Sequence, residues 1–178
     1  NFVETLIIPS TWREGGVAVH GNTEGGLLWD VGLTTGFTLD GYDNQPANPQ
    51  YQTANNIADA APLQQMHQEL SGANAQHLSQ YVSLNYKGIP GTLFGTSLFT
   101  GELAMPQVPA DLPDQRLTLW EVHARYNPGR LDLSALYAQG RLSNTGEYNQ
   151  RSPGSTSPEP NQFDGWYTQA AYTAWRNN

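Results

Sequence analysis

The sequence has no cysteine. That excludes a disulfide framework, a thiolate metal site and a cysteine nucleophile. Charge is also scarce: Asp, Glu, Lys and Arg make up 13% of the chain, about half the share usual in a soluble globular domain. What charge there is leans acidic, with a net charge of −8, which argues against a general binder of nucleic acid or of anionic lipid. Long apolar runs are missing too. Nothing approaches the roughly 18 consecutive apolar residues of a membrane-spanning helix. A spanning strand is not excluded, because it needs only about 9–11 residues with every second one apolar. No signal peptide is visible, and a start at Asn1 suggests a processed or incomplete chain.

What is present is a period of two. Across residues 27–40 one face reads Leu27, Trp29, Val31, Leu33, Thr35, Phe37, Leu39, and the other Leu28, Asp30, Gly32, Thr34, Gly36, Thr38, Asp40. Such alternation predicts a half-buried strand, here much longer than the 5–6 residues usual in soluble sheets. The pattern returns five times. Val17 and Val19 oppose Ala18, His20 and Asn22, and Val82, Leu84 and Tyr86 oppose Tyr81, Ser83, Asn85 and Lys87. Trp120, Val122, Ala124 and Tyr126 oppose Leu119, Glu121, His123 and Arg125. Leu131, Leu133, Ala135 and Tyr137 oppose Asp132, Ser134, Leu136 and Ala138. Trp166, Thr168, Ala170, Tyr172 and Ala174 oppose Tyr167, Gln169, Ala171 and Thr173. A seventh strand is read at 92–101, with its two faces undecided.

In the six assigned strands every charge falls on the second face. That face is otherwise Gly, Ser, Thr, Asn and Gln, which suits a confined, wet lumen better than bulk water. The connections alternate strictly: short at 22–26, long at 41–77, short at 88–91, long at 102–115, short at 127–130, long at 142–162. Outer-membrane barrels have this rhythm, with short periplasmic turns and long extracellular loops. The longest loop carries a helix signal from Pro62, with Leu63, Met66 and Leu70 on one side. The loop at 142–162, rich in Ser, Pro, Asn and Gly, reads as mobile coil. Apart from the hairpin rhythm there is no internal repeat. Bacterial single-chain barrels have even strand numbers, so seven strands call for further strands before residue 1, after residue 178, or from another chain.

Two segments carry a family likeness. Residues 3–15, Val-Glu-Thr-Leu-Ile-Ile-Pro-Ser-Thr-Trp-Arg-Glu-Gly, resemble the segment before a barrel strand in bacterial porins of the phosphate-selective-porin-like group. Residues 119–126, Leu-Trp-Glu-Val-His-Ala-Arg-Tyr, with the turn and residues 132–138 after them, resemble a hairpin of the same group. The specific motifs span about thirty residues. The resemblance implies a channel. It does not fix a solute: a phosphate channel is expected to carry a ladder of lumenal Arg and Lys, whereas only Lys87 and Arg125 read inward here, against Asp30, Asp40, Glu121 and Asp132.

The expected architecture is therefore all-β: a transmembrane antiparallel up-and-down β-barrel fragment, with residues 1–178 in one barrel domain and 41–77 as an extracellular or pore-constricting loop. The expected pore-lining residues are His20, Asp30, Thr34, Asn85, Lys87, Glu121, His123, Arg125, Asp132 and Gln169. Glu121, His123 and Arg125, at i, i+2 and i+4, read either as a charged patch that biases permeation or as a salt-bridged brace of the wall. His20 and Asp30 read as a hydrogen-bonded pair across the first hairpin. His67 and His77 read as solvated, and Asp40, Asp43 and Asn44 as a polar loop base, with calcium the weaker alternative. The Gly pairs are not phosphate loops, since no helix or Lys-Ser/Thr follows them. Trp12, Trp29, Tyr42, Tyr86, Trp120, Tyr126, Tyr137, Trp166 and Trp175 read as interfacial girdles.

These residues point to a porin-like channel in the bacterial outer membrane that passes small hydrophilic solutes or ions passively. No cofactor, metal, catalytic residue or nucleic-acid partner is expected. Lipid is the partner, and a homotrimer or other barrel assembly fits. A barrel acting as sheath or scaffold of a cell-surface assembly, and a secreted carbohydrate-binding β-sandwich, stay open as alternatives.

Overall fold

A computed structural model describes residues 13–38, 66, 70, 75–103, 112–151 and 159–175. Seven strands form one antiparallel sheet in chain order: β1 (Gly16–Asn22), β2 (Leu27–Thr34), β3 (Ser79–Tyr86), β4 (Thr92–Glu102), β5 (Arg116–Tyr126), β6 (Leu131–Leu142) and β7 (Gln162–Tyr172). A helix, α1 (Thr145–Arg151), lies between β6 and β7. The strands make one layer, not the two of a sandwich. The sheet is open: β1 and β7 pair only inward, with β2 and β6, and both run in the same direction.

Register ties the alternating faces together, because a one-residue slip would turn every side chain over. One row of partners runs Gly21, Trp29, Leu84, Thr96, Val122, Tyr137, Trp166, all on the outer face. The next runs His20, Asp30, Ser83, Ser97, Glu121, Ala138, Gly165, all on the inner face. This settles β4, whose faces the sequence left undecided: Phe94, Thr96 and Leu98 face outward, and Gly95, Ser97 and Phe99 inward.

The three short turns lie on one rim, and each contains a glycine at positive φ: Gly26 (87°), Gly91 (74°) and Gly129 (93°). A side chain at these angles is strained, so glycine is what lets the hairpins close tightly. Neighbouring turns are stitched together, with Lys87 N–H donating to Gly26 O at 2.8 Å and Asn127 N–H to Gly91 O at 2.6 Å.

The buried cluster sits on the inner face at the opposite, long-loop rim. Phe99, Leu117, Leu119, Ala138 and Leu142 meet Phe37, Met66, Leu103 and Tyr148 from the connections. Here the sequence reading needs correction. The regular alternation of 27–40 ends at Thr34. Gly36 then passes close to Ser79, and Phe37 turns inward, 1% exposed, with its ring edge-on to Phe99 at 5.6 Å. Burial against Phe99 outweighs continuation of the strand.

Met66 is helical and buried, and its carbonyl accepts from Thr38 N–H at 2.8 Å. The rest of the expected helix from Pro62, apart from Leu70, lies outside the described residues, as do Trp12, His67, Tyr42 and the Asp40–Asp43–Asn44 loop base.

The connection after β6 is not plain coil, as its composition suggested. α1 packs Tyr148 into the core, Asn144 Nδ2 donates to Asp114 O at 2.7 Å, and Arg116 N–H donates to Ser143 Oγ at 2.8 Å. The Asn149 side chain bonds both backbone groups of Glu159, at 3.0 and 2.8 Å. Burial, with the Glu159 and Asp114 carboxylates nearby, pushes the Tyr148 phenol up to about 12, so it stays protonated.

Candidate functional site: the inner face of the sheet

The inner face brings together all the expected lining residues except Lys87, which stands one residue beyond β3 on the short-turn rim. Their centre is Glu121. It projects inward from the middle of β5 and is 8% exposed. Ser97 Oγ donates to its Oε1 at 2.6 Å, and His123 Nδ1 lies 2.8 Å from its Oε2. The other ring nitrogen, Nε2, lies 3.1 Å from Asn85 Oδ1 two strands away. Asn85 Nδ2 in turn donates to Ser83 Oγ at 3.2 Å, which fixes the amide. Both partners of His123, the Glu121 carboxylate and the Asn85 carbonyl oxygen, are acceptors.

This network spans β3, β4 and β5, and Gly95 makes it possible. A Cβ on Gly95 would stand 2.3 Å from the His123 ring and 2.5 Å from Asn85 Oδ1. Buried carboxylates need such partners, because an unpaired one costs several kcal/mol.

Arg125 belongs to a different pair. Its Nε donates to Asp132 Oδ1 at 3.1 Å and its guanidinium also donates to Oδ2, a two-pronged clamp over the β5–β6 turn. The three-residue cluster on β5 thus divides into two pairs, Glu121 with His123 and Arg125 with Asp132. His20 and Asp30 are register partners, but the side chain that bonds Asp30 is Tyr81, whose hydroxyl donates to Oδ1 at 2.5 Å. His77, read as solvated, pairs with Glu102 at 3.3 Å, and Glu102 also takes Arg116 at 2.7 Å.

Three cavities follow the inner face. The central one, about 440 Å³, touches Thr34, Tyr81, Ser97, Glu121 and Leu136. One of about 410 Å³ touches Arg125, Asp132 and Gln169, and one of about 310 Å³ touches His20, Asp30 and Asn85. Tyr81, Ser83 and Ser97 are further inner-face residues that the expected lining did not include. The alternation already placed Tyr81 and Ser83 inward, and for Ser97 the small Gly95–Ser97 face against Phe94 and Leu98 was the available signal. Among the described residues no group of three or more His, Asp or Glu side chains is placed to hold a metal.

The outer face contrasts with this. Large apolar side chains stand bare along it, among them Val17 (73% exposed) and Trp166 (67%). Tyr86, Phe94, Tyr126 and Tyr172 mark its short-turn edge, and Trp120, Tyr137 and Trp166 lie nearer the long-loop rim. The strands are longer than the sequence suggested, so Glu102, Arg116, Arg141 and Asp164 also fall on this face, all at the long-loop rim. Charge is therefore confined to one face only within the central band.

Comparison with known proteins finds no matching family model, no matching curated protein and no matching solved structure.

Proposed function

We propose that this sheet is part of the wall of an outer-membrane β-barrel that lets small hydrophilic solutes or ions diffuse through passively. One observation carries the reading: an outer face of exposed, mostly apolar side chains interspersed with Thr and Gln, with charge only at its long-loop rim, backs an inner face of hydroxyls, amides and paired charges. A sheet in water has no reason to leave so large an apolar face bare. In lipid the two faces exchange roles.

The dimensions agree. β5 has 11 residues. At ~3.3 Å per residue and a tilt of about 40° it rises roughly 25 Å, the height of a barrel's apolar band. The short-turn rim then faces the periplasm and the long loops the outside. Met66 and Leu70, folded back onto Phe37 and Gly15, support the 41–77 loop as a constriction at the outer mouth. The partners in this reading are lipid and the permeating solute, and the barrel needs no cofactor.

Planar-bilayer recording of the purified protein tests the reading. Stepwise, ohmic conductance is the expected result. A protein that inserts as a heat-modifiable β-structure yet never conducts would favour a scaffold or sheath. One that stays in solution without detergent would end both.

A further inference from the structure

We propose that Glu159 stands in the folded protein as the neutral acid, paired head to head with the Gln115 amide, and that the pair is a proton-dependent latch between two connections at the long-loop rim. The starting point is a shortfall of donors. Gln115 and Glu159 are 0% and 4% exposed, and Gln115 Nε2 donates to Glu159 Oε2 at 2.5 Å. The other oxygen of each group, Gln115 Oε1 and Glu159 Oε1, is buried without a hydrogen-bond partner among the described residues. Buried acceptors left unmet are uncommon and costly.

One proton removes the shortfall. A carboxylate only accepts, whereas a carboxylic acid also brings an O–H donor. With the proton on Oε1, the acid gives its O–H to Gln115 Oε1 while the amide gives N–H to Oε2, and both orphan oxygens are used. Turning the amide over does not replace the proton, because Gln115 Oε1 would then meet Oε2, again acceptor against acceptor. Positive charge does not serve instead. The titratable neighbours in this corner are Tyr148 on α1 and Asp114 on the β4–β5 connection, and neither can bring it. Arg116, next to Gln115 in the chain, is turned to Glu102. Burial accordingly holds the Glu159 carboxyl above its usual range.

The pair joins two anchored stretches of backbone. The Asn149 side chain holds both backbone groups of Glu159, and Leu103 N–H donates to Gln115 O at 2.9 Å. Ionisation sends the proton to solvent and leaves a buried charge beside an unmet acceptor. The latch then parts, and the β6–β7 connection is freed from the start of β5. This device belongs to the connections and does not depend on what the sheet encloses.

The test is infrared titration of the full chain in detergent, run beside limited proteolysis of the β6–β7 connection. At a pH where ordinary glutamates are ionised, wild type should show a protonated-carboxyl band that is missing in Glu159→Gln. Wild-type cleavage, taken relative to Glu159→Gln at each pH, should rise about tenfold per pH unit above the ordinary glutamate range and level off where the band vanishes. Glu159→Gln keeps an N–H where the acid has its O–H, so its connection should stay closed at every pH. Absence of the band, or the same cleavage profile in both proteins, overturns the proposal. If Glu159→Gln does not fold, Gln115→Leu decides: the band must move to that of an acid without an acceptor, and an unmoved band overturns the proposal. Conductance enters none of these readings, so the channel proposal stands or falls separately.

Discussion

His123 reaches across Gly95 to Asn85: the ring nitrogen Nε2 stands 3.1 Å from Oδ1, with a glycine strand position between them. The contact joins β5 to β3 over the top of β4, so three strands share one polar link. Gly95→Ala puts a methyl group where the ring lies. The overpacking, together with the lost link, should destabilise the protein by about 1–3 kcal/mol in urea titration. Stability equal to wild type would show that the link contributes nothing.

Val122 sits near the middle of β5 on the bare outer face, 44% exposed. If that face meets lipid, Val122→Arg should cost about 2–4 kcal/mol in reversible unfolding from bilayers. Gln169→Arg, on the inner face of β7, should cost under about 1 kcal/mol. Equal costs would remove the distinction between the faces. A second check uses single cysteines at Leu33, Leu84, Val122 and Leu133. They should resist a membrane-impermeant thiol reagent in intact cells.

Much of this was readable in the chain itself, for a physical reason. A strand's period is two, so a sheet with one apolar face writes its orientation into every second residue, and residues 119–126 alone give the faces of β5. The turn residues and loop lengths gave the up-and-down order. Pairs were harder. Glu121, His123 and Arg125 share a face, but sequence spacing along one strand is silent on neighbours across it. Only register shows that His123 goes to Asn85 and Arg125 to Asp132. Phe37 misled because its parity continues the strand, whereas its energy comes from Phe99, distant in sequence.

The inner face holds more carboxylates than free cations, but the pairs thin out that excess. Arg125 cancels Asp132, and His123 faces Glu121. Asp30 and Glu121 are the inner-face strand carboxylates that no Arg or Lys offsets. Asp30→Asn with Glu121→Gln should shift the reversal potential in a salt gradient toward anions and leave the fold intact. Asp132→Asn, which frees Arg125, should shift it the same way. Unchanged potentials at normal conductance would mean that the permeating ions do not sense these groups.

Sidedness can be read on cells. An epitope tag at residues 128–129, in the turn held open by Gly129, should stay hidden until the outer membrane is permeabilised. Protease added to whole cells should cut in one of the long connections. A tag detected on intact cells reverses the topology.

Glu159 offers a pH test outside the strands. It is buried, and desolvation raises its carboxyl above the usual range, while the hydrogen bond from Gln115 opposes the shift. A raised folded value means that the folded state holds the proton longer than the unfolded one. Its contribution to stability is thus full below the ordinary glutamate range and is lost as pH rises through the folded value. Amide exchange across α1 should be slowest in acid and speed up across that window. In Glu159→Gln the pH dependence should flatten. If the two profiles coincide, Glu159 is not the titrating group.

The alternation of connections also has a kinetic meaning. Closing a loop costs entropy that grows with the logarithm of its length, and the β2–β3 connection is about tenfold longer than the β5–β6 turn, a difference of about 2 kcal/mol. β1 with β2, β3 with β4, and β5 with β6 are therefore cheap to zip, and each is closed by a glycine-bearing turn. The seams β2–β3 and β4–β5 have to wait for two finished hairpins to find each other. The units that assemble are then hairpins and not strands, and the β2–β3 seam, across the longest connection, carries the largest closure cost.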